Sequence, residues 1–94
     1  MTHYELHIRA RHEAMPEEQR TKMSKEQLAK KSFVEGVLTD CLSKADYGIE
    51  FLTYELILTD EIVTIHYKGG GKKSAFVTGD SKLAIIEDVM KIVY

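Results

Sequence analysis

IEFLTYELILTDEIVTIHYK, residues 49–68, is the stretch that decides the fold. Residues 49–58 and 62–68 are rich in β-branched and aromatic side chains and alternate apolar with polar, which is the patterning of half-buried strands. With Asp60-Glu61 as the turn, Leu58 faces Val63, Leu56 faces Ile65 and Tyr54 faces Tyr67, all on one side of the hairpin. Three apolar matches argue for that register, because a one-residue slip would turn each of them to the opposite face. Asp-Glu is not a favoured tight-turn pair, so a longer loop is the alternative.

Downstream, Gly69-Gly70-Gly71 breaks the second strand and serves as another hairpin loop. Residues 73–78 return as a third strand. In the simplest register Ile65 faces Phe76, which would place Tyr54, Tyr67 and Phe76 together on the core side. The other face would then show Phe51, Ile57, Ile62 and Val77 among Thr53, Thr64, His66 and Lys68, and would need a cover. The N-terminal segment, a second copy or a partner protein could supply it. Gly79-Asp80-Ser81 ends the strand and offers Asp80 or Ser81 as the N-cap of a final helix. That helix carries Leu83, Ala84, Ile85, Ile86, Val89, Met90, Ile92 and Val93, more than one face can bury, with Glu87 and Lys91 as an i,i+4 pair on its polar side.

Upstream, Ser24-Lys25-Glu26-Gln27 has the spacing of a capping box. The helix that follows places Val34, Val37, Leu38, Cys41, Leu42 and Ala45 on one stripe, leaves Lys30, Lys31, Glu35 and Asp40 mainly outside it, and stops near Tyr47-Gly48. Residues 12–23 are polar and hold the only proline. Pro16-Glu17-Glu18 suits a short helical turn, and a loop is the alternative. Residues 3–11 alternate, with Tyr4, Leu6, Ile8 and Ala10 on one side and His3, Glu5, His7, Arg9 and Arg11 on the other, which predicts a further strand. The expected fold is a single α+β domain over residues 1–94. Its order is β-α-β-β-β-α, an antiparallel three- to four-stranded sheet with two helices packed on one face.

Composition narrows the function. A 94-residue chain with 44% apolar and 30% charged residues is ordinary for one globular domain. No apolar run approaches the roughly 18 residues of a membrane helix, and Met1-Thr2-His3-Tyr4-Glu5 lacks the basic and apolar regions of a secretory signal. One cysteine cannot close an internal disulfide, which fits a reducing interior and a cytoplasmic location. The net charge of −2 argues against bulk polyanion binding. The charge is uneven, however. Residues 46–67 hold Asp46, Glu50, Glu55, Asp60 and Glu61 with no Lys or Arg, whereas residues 68–73 hold Lys68, Lys72 and Lys73 with no acid.

The candidate contact site is therefore Lys68-Gly69-Gly70-Gly71-Lys72-Lys73, with His66 beside it. Glycines let backbone N–H groups approach a ligand closely and lysines add positive charge. The loop lacks the Gly-Lys-Ser/Thr ending and the following helix of a phosphate-binding Walker loop, so the alternatives are a solvated hairpin tip, an anion or nucleic-acid contact, and a protein contact. In the register above, His66 lies opposite Glu55, a pair able to poise a base near neutral pH or simply to stabilise the sheet. On a strand, His3 and His7 stand about 13 Å apart, too far to share a zinc ion. Cys41 lies on the helical stripe as a core residue. No catalytic residue, cofactor or metal site is expected.

The segment Phe76-Val77-Thr78-Gly79-Asp80-Ser81-Lys82-Leu83-Ala84-Ile85-Ile86-Glu87-Asp88-Val89 resembles a C-terminal pattern of small phage and prophage proteins of Gram-positive bacteria. In that pattern a strand runs into Asp-Ser, then Ala, then an acid and an aliphatic residue. The resemblance implies a phage protein that acts by stoichiometric binding to a host protein, for example as an inhibitor of a defence system such as a CRISPR nuclease, in the host cytoplasm. It carries no functional residue with it. The helix–three strands–helix order also resembles the double-stranded-RNA-binding domain, but that family starts its last helix with lysines, and here the lysines precede the last strand. The leading expectation is a non-enzymatic protein-binding domain that self-associates as a homodimer. The alternative is a nucleic-acid- or nucleotide-binding module using residues 68–73.

Overall fold

Two antiparallel strands form from the deciding stretch, β1 (Ile49–Ile57) and β2 (Asp60–Tyr67), and β3 (Lys72–Phe76) adds to the other side of β2. The sheet order is β1-β2-β3. The structure is a computed structural model and describes residues 2–93.

The register differs from the expected one. The turn is Leu58-Thr59, because Ile57 pairs with Asp60; Leu56 pairs with Glu61, Tyr54 with Val63 and Leu52 with Ile65. The expected pairs Leu58–Val63, Leu56–Ile65 and Tyr54–Tyr67 are thus not formed. The slide is even, so the strand side chains keep their faces and only change partners. Leu58 turns the chain with φ at 57°, a left-handed conformation that costs a non-glycine residue about 1–2 kcal/mol. Two contacts offset this cost: the Leu58 N–H donates to His12 Nδ1 at 3.3 Å, and the side chain packs against the cluster of Ile8, Ile57 and Ile62.

The β2–β3 register is shifted by an odd number. Ile62 pairs with Phe76 and Ile65 with Lys73. Phe76 therefore moves to the face opposite the one expected, and Val77, expected on the open face, is fully buried in the main core. The Gly69-Gly70-Gly71 loop forms as read: Gly70 has φ at 93°, and the Tyr67 N–H donates to the Gly71 carbonyl at 2.9 Å.

One face of the sheet carries the main core. Leu52, Tyr54, Val63 and Ile65 pack there against Val34, Leu38 and Leu42 of a long helical run and against Ile85 and Val89 of α4 (Lys82–Val93). The run begins at the capping box, where the Gln27 N–H donates to Ser24 Oγ at 3.1 Å and the Ser24 N–H to Gln27 Oε1 at 2.9 Å. It comprises α2 (Lys25–Ser32), a π-helical segment (Phe33–Leu38) and α3 (Thr39–Ser43), all with right-handed backbone at the joints. The wider π turn sets the buried residues four apart, and it rotates Val37 and Cys41 out to solvent. Neither is the core residue the stripe suggested.

Residues 3–11 form no strand. They lie in helix α1 (His3–Ala14), whose N-cap Thr2 accepts from the Glu5 N–H at 3.1 Å. Arg20, after a 3₁₀ turn at Glu17–Gln19, donates from Nε to the His12 carbonyl at 3.0 Å and closes the helix end. Helix α1 covers the second face of the sheet through Ile8, which packs on Ile57 and Ile62. The α+β class and the antiparallel sheet stand. Among the described residues the order starts with a helix, the strands number three, and both faces carry helices. No helix among the described residues is long and apolar enough to cross a membrane.

Candidate functional site

Helix α1 covers only part of its sheet face. Beside it lies a cleft of about 510 Å³, lined by Glu5 and Arg9 of α1, Thr53 and Glu55 of β1, Thr64 and His66 of β2, and Lys72 and Ser74 of β3, with Lys31 and Glu35 at the β1 side and Lys73 at the β3 side. Helix periodicity explains the α1 contribution. Glu5, Ile8, Arg9 and His12 fall on the face turned inward, and of these Glu5 and Ile8 are buried.

Arg9 is the hinge of the cleft's electrostatics. Its guanidinium grips Glu55 with two bonds, of 2.9 and 3.1 Å, and Nε donates to Glu5 Oε2 at 3.0 Å. This fork is the strong geometry for an arginine–carboxylate pair. The guanidinium holds the Glu55 carboxyl below its ordinary range against the opposing effect of burial, and Glu55 holds the Arg9 proton more tightly in return. His66 does not pair with Glu55, whose cross-strand partner is Ile62. Its Nε2 lies 3.1 Å from Thr53 Oγ1, and its ring stacks on Phe51 with centroids 4.3 Å apart. Burial, and next the charge of Lys72, lower its proton affinity. On the floor Thr64 Oγ1 lies 3.3 Å from Ser74 Oγ.

The sequence-read site is split. His66 and Lys72 line the cleft, and Lys73 borders it with its side chain on the opposite sheet face; Lys68 and the three glycines lie at the exposed hairpin tip. Lys73 sits over the Tyr67 ring, 5.8 Å from its centroid. Among the described residues no carboxylate lies within 4.0 Å of Lys68, Lys72 or Lys73, whereas Arg9 has two and Lys30, Lys31, Lys44 and Lys91 have one each. Sequence reading missed Arg9, Glu5 and Lys31 as site residues. The Glu5–Arg9 spacing of four was the available signal, since such a pair meets only on a helix. On that helix His3 and His7 are also four apart and share a face, unlike the wide separation a strand would give them. Nevertheless, among the described residues no three His, Cys, Asp or Glu side chains are grouped to hold an ion.

Comparisons with protein families, with curated proteins and with solved structures returned no match. The site is therefore read from its own geometry.

A second polar cluster lies within the main core. Glu61 and Lys30 are both buried and pair at 3.3 Å; the Tyr54 hydroxyl donates to Glu61 Oε1, and the Gly79 N–H donates to Oε2 at 2.8 Å. Burial raises the Glu61 proton affinity, but these three donors outweigh it and leave the carboxyl below its ordinary range. Burial and the bond to Glu61 push the Tyr54 hydroxyl up. Next to this cluster, the neighbouring Asp88 carboxylate, and then burial, raise the proton affinity of Asp80, one of whose oxygens is buried with no partner. Every charge in the Glu61 cluster is matched, which marks it as a brace of the fold.

Proposed function

We propose that the protein acts by binding another protein, stoichiometrically and without catalysis, through the cleft beside α1 and the basic strand β3 that borders it. One observation carries this reading. The cleft's charged groups are spent on each other, Arg9 on Glu5 and Glu55 and Lys31 on Glu35, while the lysines on its β3 border have no acid partner. The first set fixes a shape and the second offers unspent charge to a partner. His66, the side chain best suited to proton transfer, has Nε2 engaged by Thr53, and its proton affinity is lowered. That suits a wall residue better than a base.

The resemblance of residues 76–89 to small phage and prophage proteins suggests a host protein as the partner, a defence nuclease being one instance, met in the host cytoplasm. The experiment is capture of a partner from a Gram-positive lysate, followed by calorimetry with both proteins purified. A one-to-one complex weakened at least tenfold by Lys72→Glu/Lys73→Glu is the expected result. An identified partner bound equally well by the double variant, or turnover of any substrate by the wild type, overturns the reading.

A further inference from the structure

The two edges of the sheet are treated differently by the fold. The outer edge of β1 is closed by side chains of the helical run. The Leu52 N–H donates to Thr39 Oγ1 at 2.9 Å, the Tyr54 N–H donates to Glu35 Oε2 at 2.9 Å, and Lys31 Nζ donates to the Tyr54 carbonyl at 3.4 Å. The outer edge of β3 has no such closure. The Val77 N–H bonds the Glu61 carbonyl and the Gly71 carbonyl accepts from Tyr67, both turned toward β2. Since a strand's backbone groups alternate sides, those of Lys73 and Ala75 also face β2, and those of Lys72, Ser74 and Phe76 face outward. Among the described residues nothing bonds to these outward backbone groups. An unpaired row of alternating donors and acceptors is a template for another strand.

We propose that the open edge of β3 takes up an extended acidic segment of the partner protein as a fourth strand. The proposal rests on the protein-binding reading above and names the mode. Side chains of an added strand alternate between faces. Lys72 points to the α1 side with Ser74 and Phe76, and Lys73 to the other side, as their pairing with His66, Thr64, Ile62 and Ile65 requires. Two consecutive acids in the segment would therefore meet one lysine each. Four residues from the acid beside Lys72, the segment would pass Phe76, which is 38% exposed and in ring contact with Tyr4 at 5.6 Å, a seat for an apolar side chain. The lysines also decide against other occupants. A second copy of β3 would bring four ammonium groups onto one short ladder, where like charges destabilise pairing. A nucleic-acid backbone does not present donors and acceptors alternating at strand spacing, as the open edge requires.

Proline tests this directly, because it is tolerated on an edge strand where its missing N–H would have faced out. Ser74→Pro keeps the β2 ladder and removes a donor from the open edge; Phe76→Pro does the same at the next outward position and serves if the first variant misfolds, as judged by its amide spectrum. The direct probe is a synthetic octapeptide of alternating Val and Thr with Asp-Glu at one end, and a control with Lys-Lys in place of the acids. The acidic peptide is expected to slow exchange of the Ser74 and Phe76 amides at least tenfold; the control is expected to show no effect, and the folded proline variant none at the outward amide it keeps. The captured partner separates the two claims. Loss of its binding in both the proline and the Lys72→Glu/Lys73→Glu variants supports the edge. Binding that survives proline but not charge reversal overturns the added strand and leaves the protein-binding reading standing. Equal binding by all variants overturns both. Unchanged exchange with the acidic peptide, or tight binding of a DNA or RNA oligonucleotide that falls steeply with salt, also overturns the edge proposal.

Discussion

At the residue scale, Glu61 has the most to lose. Removing one member of a buried, hydrogen-bonded ion pair leaves the other charge uncompensated, at a cost of about 3–5 kcal/mol. Glu61→Gln is therefore expected to lower stability by about 3 kcal/mol in chemical denaturation, because it strands Lys30 and turns an acceptor of three bonds into a mixed group. Lys30→Met with Glu61→Leu should cost less than Glu61→Gln alone. Glu61 and Glu55 both have folded-state pKa values below their unfolded ones. Their contribution is present above the unfolded carboxylate pKa and is lost as pH falls through the folded one, so a denaturation series should show stability dropping on the acid side. Asp80 has the opposite sign. Its raised folded pKa means its contribution is present below the unfolded pKa and lost as pH rises through the folded one. Asp88→Asn removes the neighbouring negative charge, and should raise Tm at pH 7 and leave it unchanged near pH 3; a lower Tm at pH 7 would show that the contact of Asp88 with the exposed Lys91, at 4.0 Å, matters more. None of this was legible in the sequence. Glu61 read as a turn residue and Lys30 as a solvated one, because patterning sees polarity and not the partner that makes burial tolerable.

At the scale of elements, legibility followed the type of signal. The capping box at Ser24, the glycine hairpin and the final helix rest on local chemistry, and they formed where that chemistry pointed. Helix α1 was misread because its packing face, Glu5-Ile8-Arg9-His12, is mostly polar, so its apolar residues alternate by chance like a strand. The spacing Thr2-His3-Tyr4-Glu5, a helix-start signature like that at Ser24, was the contrary clue. The hairpin register failed at one residue: Leu58 in a left-handed turn follows no propensity and is held by His12 from another element. The cleft was half legible, since its lysines and His66 lie on the strands, and its Arg9 wall depends on α1. The π segment has a use that sequence cannot express. It sets Lys31, Glu35 and Thr39 along the β1 edge, where they take up its backbone groups. Thr39→Val should then leave the Leu52 N–H unpaired and cost about 1–3 kcal/mol, the penalty for a partly buried donor with no acceptor. Thr39→Ser should recover most of it. Hydrogen exchange at the Leu52 amide checks the assignment, because a packing effect alone would not speed exchange at that one position.

At the scale of the whole molecule, the question is whether one copy covers its own apolar surface. A second copy looked necessary in the sequence for two reasons, the surplus on the last helix and the open sheet face. The structure answers both within the chain. Ile85 and Val89 of α4 are buried, and Ile86, Met90, Ile92 and Val93 pack at the margin of the same core. Ile57 and Ile62 lie beneath Ile8 of α1, and Val77 has moved to the main core. What stays exposed are Tyr4, Leu6, Leu28, Val37, Phe51, Phe76 and Leu83, spread over three helical rods and two strands. Apart from Tyr4 and Phe76, which are in ring contact, these side chains are scattered, as is normal on a monomer. Among the described residues the continuous feature able to join copies is the β3 edge, and Lys72 and Lys73 oppose pairing with itself. The chain is therefore expected to sediment as a monomer at high micromolar concentration and physiological salt. Lys72→Thr/Lys73→Thr should shift it toward dimers, since the substitution keeps strand propensity and removes the repulsion. A wild-type dimer at low micromolar concentration would mean that exposed residues on different elements act as one patch. A double variant that stays monomeric would mean that something other than charge keeps the edge free of a second copy.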